Sequence, residues 1–435
     1  MDKARTRQFR NIMAAILGLT FITVAIAGVA TALSEQPRYR ETVVSITNRQ
    51  SPGLIKARCT PAVDYDRLEE RIAQLMKQPD MVGLAVGTIE GGRVCFFKGY
   101  GETLANSGVS VTPDTVFRWA SLSKSVASAL VVGLAQTGKL SLDAPVATMG
   151  TTLTLPGGTR SVSVADVLSH RVGLQRNAWD GRLEAGEDPR LLRASLGTLP
   201  GLCAPATCYA YQNIAFDTVT EIVERVTGKD YASAARARLF APLGMANTTI
   251  GRAGLQRAVS WAHPHHRSRV PALVGDAYYH IPAAGGVNSS IRDLLRWMDA
   301  QMGDTPGVLS PAALETMHRP RVLTPPHGRR GPMDRALEHA AYGLGWRTYT
   351  YAGHVLVGHR GSVDGYGSLI LFDPEARSGI VMLWNSNYSR AASLQLEFFD
   401  LLYGLQPKDW LDLPTQSEVP ISALAGAGGA LATSQ

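Results

Sequence analysis

No Gly-x-Ser-x-Gly elbow, no His-Glu-x-x-His pair and no phosphate-binding glycine loop occurs in the 435 residues. These absences argue against an α/β-hydrolase, a zinc metalloprotease and a P-loop nucleotidase. Charge is sparse at 18% and aromatics reach only 7%, while hydrophobic residues make up 45%. That balance belongs to a globular chain rather than a disordered or fibrous one, and its length permits about two or three domains. No repeat of solenoid period occurs. Cysteine is scarce, and none of Cys59, Cys95, Cys203 and Cys208 forms a Cys-x-x-Cys pair, which counts against structural zinc.

The net charge of +7 is partly local, because Lys3, Arg5, Arg7 and Arg10 crowd the first ten residues. No basic run interleaved with aromatics follows, so no nucleic-acid partner is expected. Residues 12–33 carry no charge at all. A basic flank before an uncharged apolar stretch is read by the export machinery, which leaves the positive side in the cytoplasm. Residues 1–34 are therefore either a retained membrane anchor or a cleaved signal. About 20 apolar residues span a bilayer, whereas Ala30-Thr31-Ala32 fits a cleavage site. The remainder is expected outside the cytoplasm, in the periplasm or on the outer face of the membrane. There an even number of cysteines reads as two disulfides. Three connectivities exist; Cys203–Cys208 and Cys59–Cys95 are the expected pairs, and free buried thiols are the alternative.

Residues 35–61 read as a spacer. Tyr65–Gln78 has the spacing of an amphipathic helix, with Leu68, Ile72, Leu75 and Met76 on one side and Pro79 after it. Met81–Ile89 and Arg93–Gly101 read as two strands joined at Gly91-Gly92. The stretch from about 115 to 320 is mainly helical, with helices over Ser121–Thr137, Val164–Leu168, Phe216–Val226 and Ile291–Met298. Strands return at His354–His359, Tyr366–Phe372 and Ile380–Trp384, and a helix over Arg390–Tyr403 follows. Residues 406–435 turn polar and then Ala/Gly-rich, and read as a disordered tail. Strands at both ends and helices between them predict an α/β (α+β) fold. One antiparallel sheet would be assembled from the two chain ends and flanked by helices, with a mostly helical subdomain inserted. The cleft between the lobes is the expected site.

Within Phe117-Arg118-Trp119-Ala120-Ser121-Leu122-Ser123-Lys124, Ser121 and Lys124 are three apart and share a helix face. At a helix start, Ser121 would have backbone N–H groups around it that stabilise a developing negative charge. A neutral lysine amine can take the serine proton, provided that desolvation or nearby cations lower its pKa. The pair alone is a weak signal among eight lysines and many serines. Two further patterns follow in order. Tyr211-Gln212-Asn213 stands before a helix, and His359-Arg360-Gly361 lies on a strand near the C-terminus.

In this order the three motifs resemble those of the class C β-lactamase, penicillin-binding-protein and D,D-peptidase/esterase family. The resemblance extends to Gly138–Val146, Val167–Leu174, Pro242–Met245 and Tyr342–Trp346, and covers about residues 62–405. It implies that Ser121 is the nucleophile of an acyl-enzyme, with Lys124 and Tyr211 as general base and acid. It implies substrate contacts from Asn213, His359, Gly361 and Ser362, with the backbone N–H groups of Ser121 and Ser362 as oxyanion hole. No metal or organic cofactor is implied. Where class C β-lactamases carry lysine, this chain has His359. That points to a D-amino-acid peptidase of D,D-carboxypeptidase type, or an esterase, ahead of a β-lactamase. A non-catalytic penicillin- or peptidoglycan-binding sensor is the competing class. A disulfide Cys203–Cys208 would brace the loop carrying Tyr211. His263-Pro264-His265-His266 reads as a loop rather than a metal site, because proline breaks the helical spacing. The sequence does not identify the acyl donor or the oligomeric state.

Overall fold

Asp64 accepts a hydrogen bond from the Arg67 amide and so starts the first helix, α1 (Tyr65–Met76), whose buried stripe is Leu68, Ile72 and Leu75. It belongs to a computed structural model that describes Cys59, residues 61–324 and residues 331–413. Backbone contacts divide the chain between Ile55 and Lys56, and all that follows concerns the unit Lys56–Gln435. Among the described residues no helix is long and apolar enough to cross a membrane. The basic flank, the apolar stretch 12–33 and the Ala/Gly-rich end lie outside the described residues.

After α1 come β1 (Gly83–Glu90) and β2 (Arg93–Gly101), turned by Gly91 and Gly92, both at positive φ. The helical middle contains β3 (Val116–Arg118), α2 (Ser123–Gln136), α3 (Val164–Leu168), α4 (Asp180–Glu184), α5 (Asn213–Phe216) and α6 (Thr218–Thr227). It continues with β4 (Thr249–Ile250), β5 (Val287–Ser290) and α7 (Ile291–Gln301). The chain then gives β6 (Val322–Leu323), β7 (Glu338–Tyr342), β8 (Arg347–Tyr351), β9 (His354–Val363), β10 (Tyr366–Asp373), β11 (Ser378–Trp384) and α8 (Leu394–Leu402). The main sheet has the order β2-β1-β11-β10-β9-β8-β7-β6, and β3, β5 and β4 form a second small sheet. Both are antiparallel. Strands from early and late in the chain meet at the β1–β11 pair, second and third in that order, where Leu84 pairs with Trp384 and Ile89 with Gly379.

Strands β1, β10 and β11 are buried on both faces and read as nearly unbroken apolar runs. Alternation divides them between two cores. Ala85, Ile370, Val381 and Leu383 face the helical body. Leu84, Leu369, Ile380 and Met382 face α1 and α8.

Several boundaries differ from the sequence reading. The Ser121-bearing segment is a 3₁₀ turn, Ala120–Leu122, before α2 begins at Ser123. Phe216 ends a separate short helix, because Asp217 intervenes before α6. The last helix opens as a 3₁₀ stretch, Ser389–Ser393. Strands β6, β7 and β8 and the small sheet were not expected. The disordered tail from 406 is corrected for residues 406–413, which fold back onto the domain. Leu411 is fully buried, and Trp410 donates to Asp400 at 2.7 Å and packs edge-on against Tyr351. Both expected disulfides, Cys59–Cys95 and Cys203–Cys208, are present.

Candidate active site

α2 is buried all round over most of its length, from Ser123 to Leu134, serines and Lys124 included; such a helix belongs at the centre of a domain. Its approach is strained. Ala120 lies at φ +47°, a region that residues with a Cβ adopt at a cost of about 1–2 kcal/mol. The turn is pinned from both sides. Trp119 donates its amide to the Val287 carbonyl at 2.8 Å, and Ser368 Oγ donates to the Trp119 carbonyl at 2.7 Å. Gly361 of β9 crosses this turn so closely that a Cβ there would lie 2.2 Å from the Trp119 oxygen and 3.0 Å from the Ser121 nitrogen. The glycine was expected to let substrate approach the strand. In the structure it lets the Ser121 turn approach.

Ser121 is half-buried, and two groups converge on its Oγ. The Tyr211 hydroxyl donates at 2.7 Å, and Lys124 Nζ donates at 3.3 Å. Lys124 is fully buried and also donates to Asn213 Oδ1 at 2.8 Å and to the Ala284 carbonyl at 2.9 Å. Its ammonium lies 4.7 Å from the Tyr211 ring centre and 5.4 Å from that of Phe216. Burial pulls the Lys124 pKa down to about 7; Asp180 and Asp217 oppose this, and Arg347 adds to it. Burial pushes Tyr211 up to about 12, against the pull of its hydrogen bond to Ser121 and of Arg347.

The other expected residues take more specific places. Asn213 was expected to bond the substrate, yet both ends of its amide are engaged. Oδ1 accepts from Lys124, and Nδ2 donates to Asp180 Oδ2 at 2.7 Å. His359 is buried and its Nε2 meets the Tyr342 hydroxyl at 2.9 Å. Ser362 is exposed and, with Ser121, lines a cleft of about 360 Å³. β8 pairs with β9 only as far as Gly358, so beyond it the edge of β9 facing the cleft has no strand partner among the described residues.

Asp180, His170, Tyr342 and Arg347 complete this surround, and none was assigned a role from the sequence. Asp180 follows Trp179, a non-glycine residue at φ +66°, in a loop with no motif. His170 and Tyr342 sit inside segments noted only for resemblance, and Arg347 follows one of them. No short-range pattern exposes them, because the sheet brings them in from distant positions. Arg347, Arg176 and Arg360 line the cleft together with two carboxylates, Asp180 and Asp334, and Arg360 is paired with Asp334 at 3.3 Å. In the histidine loop, His265 Nδ1 bonds the Asn385 carbonyl and Nε2 accepts from the Ala105 amide, so both ring nitrogens are engaged in holding loops.

A family model described as Beta-lactamase matches residues 68–402. Among curated proteins, an unguisins hydrolase of Aspergillus campestris is 28% identical over 344 residues, 74% of this chain. The chain spans only 63% of that relative's length. Penicillin-binding protein 4 of Amycolatopsis lactamdurans is 28% identical over 364 residues, covering 78% of this chain and 90% of that one. Among solved structures, the octameric penicillin-binding protein homologue from Pyrococcus abyssi superposes with a TM-score of 0.71 at 23% identity. It covers 80% of this chain and 79% of its own, a likeness of fold.

Proposed function

Because the chain belongs to the beta-lactamase family, we propose that it is an exported serine hydrolase that forms an acyl-enzyme at Ser121. The observation that carries this is the convergence of Tyr211 and Lys124 on one serine oxygen, with the lysine fully buried. Magnitudes assign the roles. With a pKa of about 7, roughly half of Lys124 is the neutral amine at neutral pH. With a pKa of about 12, only about one Tyr211 in 10⁵ is phenolate. Lys124 is therefore the base that takes the Ser121 proton as Oγ attacks the carbonyl carbon. Tyr211 is the acid that protonates the departing group and regains its proton from Lys124. The N–H groups of Ser121 and Ser362 hold the oxyanion. Water then takes the leaving group's place and returns the acyl group as acid.

With Arg360 paired to Asp334, Arg347 and Arg176 outnumber Asp180 in the cleft lining, and this excess of positive charge favours a substrate with a free carboxylate. This supports a D-amino-acid peptide, cleaved in the manner of a D,D-carboxypeptidase, over a neutral ester. A second reading, an efficient β-lactamase, is disfavoured because His359, although it lines the cleft, has Nε2 bonded to Tyr342 and Nδ1 to the Arg360 carbonyl. Two disulfides fit an oxidising compartment, and so support export.

The test is intact-protein mass spectrometry of residues 35–435 after incubation with a fluorophosphonate and, separately, with a penicillin. An adduct on Ser121, absent from Ser121→Ala, is the expected result. Folded protein that takes up neither reagent would sink the hydrolase reading and favour a binding or sensor role.

A further inference from the structure

His170 is fully buried and lies at φ +57°, in the left-handed region that disfavours a side chain with a Cβ. Three contacts tie it to the Tyr211 segment. Its carbonyl accepts from the Ala210 amide at 3.0 Å. Its Nδ1 accepts from the Gln212 amide at 3.2 Å, and its ring centre lies 4.3 Å from that of Tyr211. On the far side, Nε2 meets the Tyr342 hydroxyl at 3.2 Å, and that hydroxyl meets His359 Nε2 at 2.9 Å. His359 Nδ1 lies 2.8 Å from the Arg360 carbonyl.

We propose that His170 is a positioning residue for Tyr211, fixed in one tautomer by a one-way hydrogen-bond row that runs through Tyr342 to His359. The direction follows from the ends, because a backbone amide only donates and a carbonyl only accepts. The Gln212 N–H makes His170 Nδ1 an acceptor, so Nε2 carries the proton and gives it to the Tyr342 oxygen. The Arg360 carbonyl makes His359 Nδ1 a donor, so its Nε2 accepts from the Tyr342 hydroxyl. Protonating either ring would set two donors against each other. Burial and the nearby cations Lys124 and Arg347 hold both imidazoles neutral. Arg347 also lies 5.4 Å from the Tyr342 ring centre. The row therefore fixes the backbone on both sides of Tyr211 and the face on which its ring rests, and the third-motif histidine serves this row rather than the substrate.

The inference rests on the acyl-enzyme reading, and one series of experiments separates the two. The rate of fluorophosphonate labelling at Ser121, across pH, is measured for wild type, His359→Gln, His359→Lys and His170→Phe, with thermal unfolding as a check on folding. A glutamine oxygen can accept the Tyr342 proton; a lysine can only donate. The row predicts that His359→Gln labels within a few-fold of wild type and His359→Lys at least tenfold slower. A role confined to a cationic substrate contact predicts no such loss in His359→Lys, because the probe carries no carboxylate for it to hold. His170→Phe keeps a ring beside Tyr211 but loses both nitrogens; it should label at least tenfold slower at every pH, with the midpoint of the pH profile still set by Lys124. His359→Lys as fast as His359→Gln, or a folded His170→Phe at the wild-type rate, would overturn the row alone. Should His170→Phe not fold, the His359 pair decides. No labelling of wild type overturns the acyl-enzyme reading and the row with it, and is seen before any variant is made.

Discussion

At the scale of residues, the proposed acyl-enzyme reading makes Lys124 set the pH dependence. Its folded pKa lies below the ordinary lysine value, so the base is present above about pH 7 and protonated below it. Acylation of Ser121 should rise about tenfold per pH unit below 7 and level off above it. The Asp180 carboxylate favours the charged amine, so Asp180→Asn should move that limb to lower pH. Stopped-flow labelling across pH 5–9 reads both shifts, and an unmoved limb in Asp180→Asn would show that Asp180 does not act on Lys124. Gly361→Ala is argued from distance alone. Its Cβ would press on the backbone oxygen of Trp119, and backbone cannot swing aside as a side chain can. Labelling of Ser121 should fall more than tenfold, and a rate within twofold of wild type would mean that the nucleophile turn tolerates displacement.

Among the elements, what was legible in the sequence was what periodicity and punctuation record. The β1–β2 hairpin showed through Gly91-Gly92, and the strands that became β10 and β11 showed as apolar runs flanking Asp373-Pro374. β7 and β8 were hidden because they lie toward the sheet margin and are only partly buried, so Glu338–Tyr342 and Arg347–Tyr351 carry mixed polarity. Lys124 and Tyr211 both lie within hydrogen-bond reach of Ser121, as the motifs suggest, but Asp180 and His170 make contacts that no spacing encodes. The Cys203–Cys208 bridge belongs at this scale. Gly173 receives the amide of Leu202, Arg171 that of Ala206 and His170 that of Ala210, so the bridged loop is laced to the segment under Tyr211. Closing so short a loop contributes about 2 kcal/mol. Cys203→Ser/Cys208→Ser should therefore melt only a few degrees lower yet label Ser121 several-fold more slowly. Unchanged labelling would mean that the lacing suffices without the bridge.

For the whole molecule, acid stability is set by buried imidazoles. His170 and His359 lie well below the ordinary histidine pKa, and burial pulls His318 down to about 3. The unfolded chain binds protons at these positions below about pH 6.5 while the folded one does not, so stability falls as pH falls. Each contributes a slope of about 1.4 kcal/mol per pH unit between its two pKa values. Buried Asp217, raised to about 7, takes up its proton in the folded state and works the other way. Urea midpoints should therefore drop from pH 7 to pH 4 less steeply than three imidazoles alone would give, and a rising profile would refute their neutral buried state. Removal of residues 406–435 tests the folded-back segment. Losing Trp410 and buried Leu411 should cost about 3 kcal/mol or more, read as a lower urea midpoint at unchanged Ser121 chemistry.

The pairing of β1 with β11 has a further consequence, for the order of assembly. Leu84 finds its partner Trp384 only after 299 intervening residues have been made, and such distant contacts are entropically slow to close. The helical body carries Ser121, Lys124 and Tyr211, but the strand that crosses the Ser121 turn is made long after them. Nascent chains and fragments that stop before β9 therefore hold Ser121 without the Ser362 amide proposed as its oxyanion partner. On the proposed reading, acylation waits for β9, so a chain still being made carries its serine in silence.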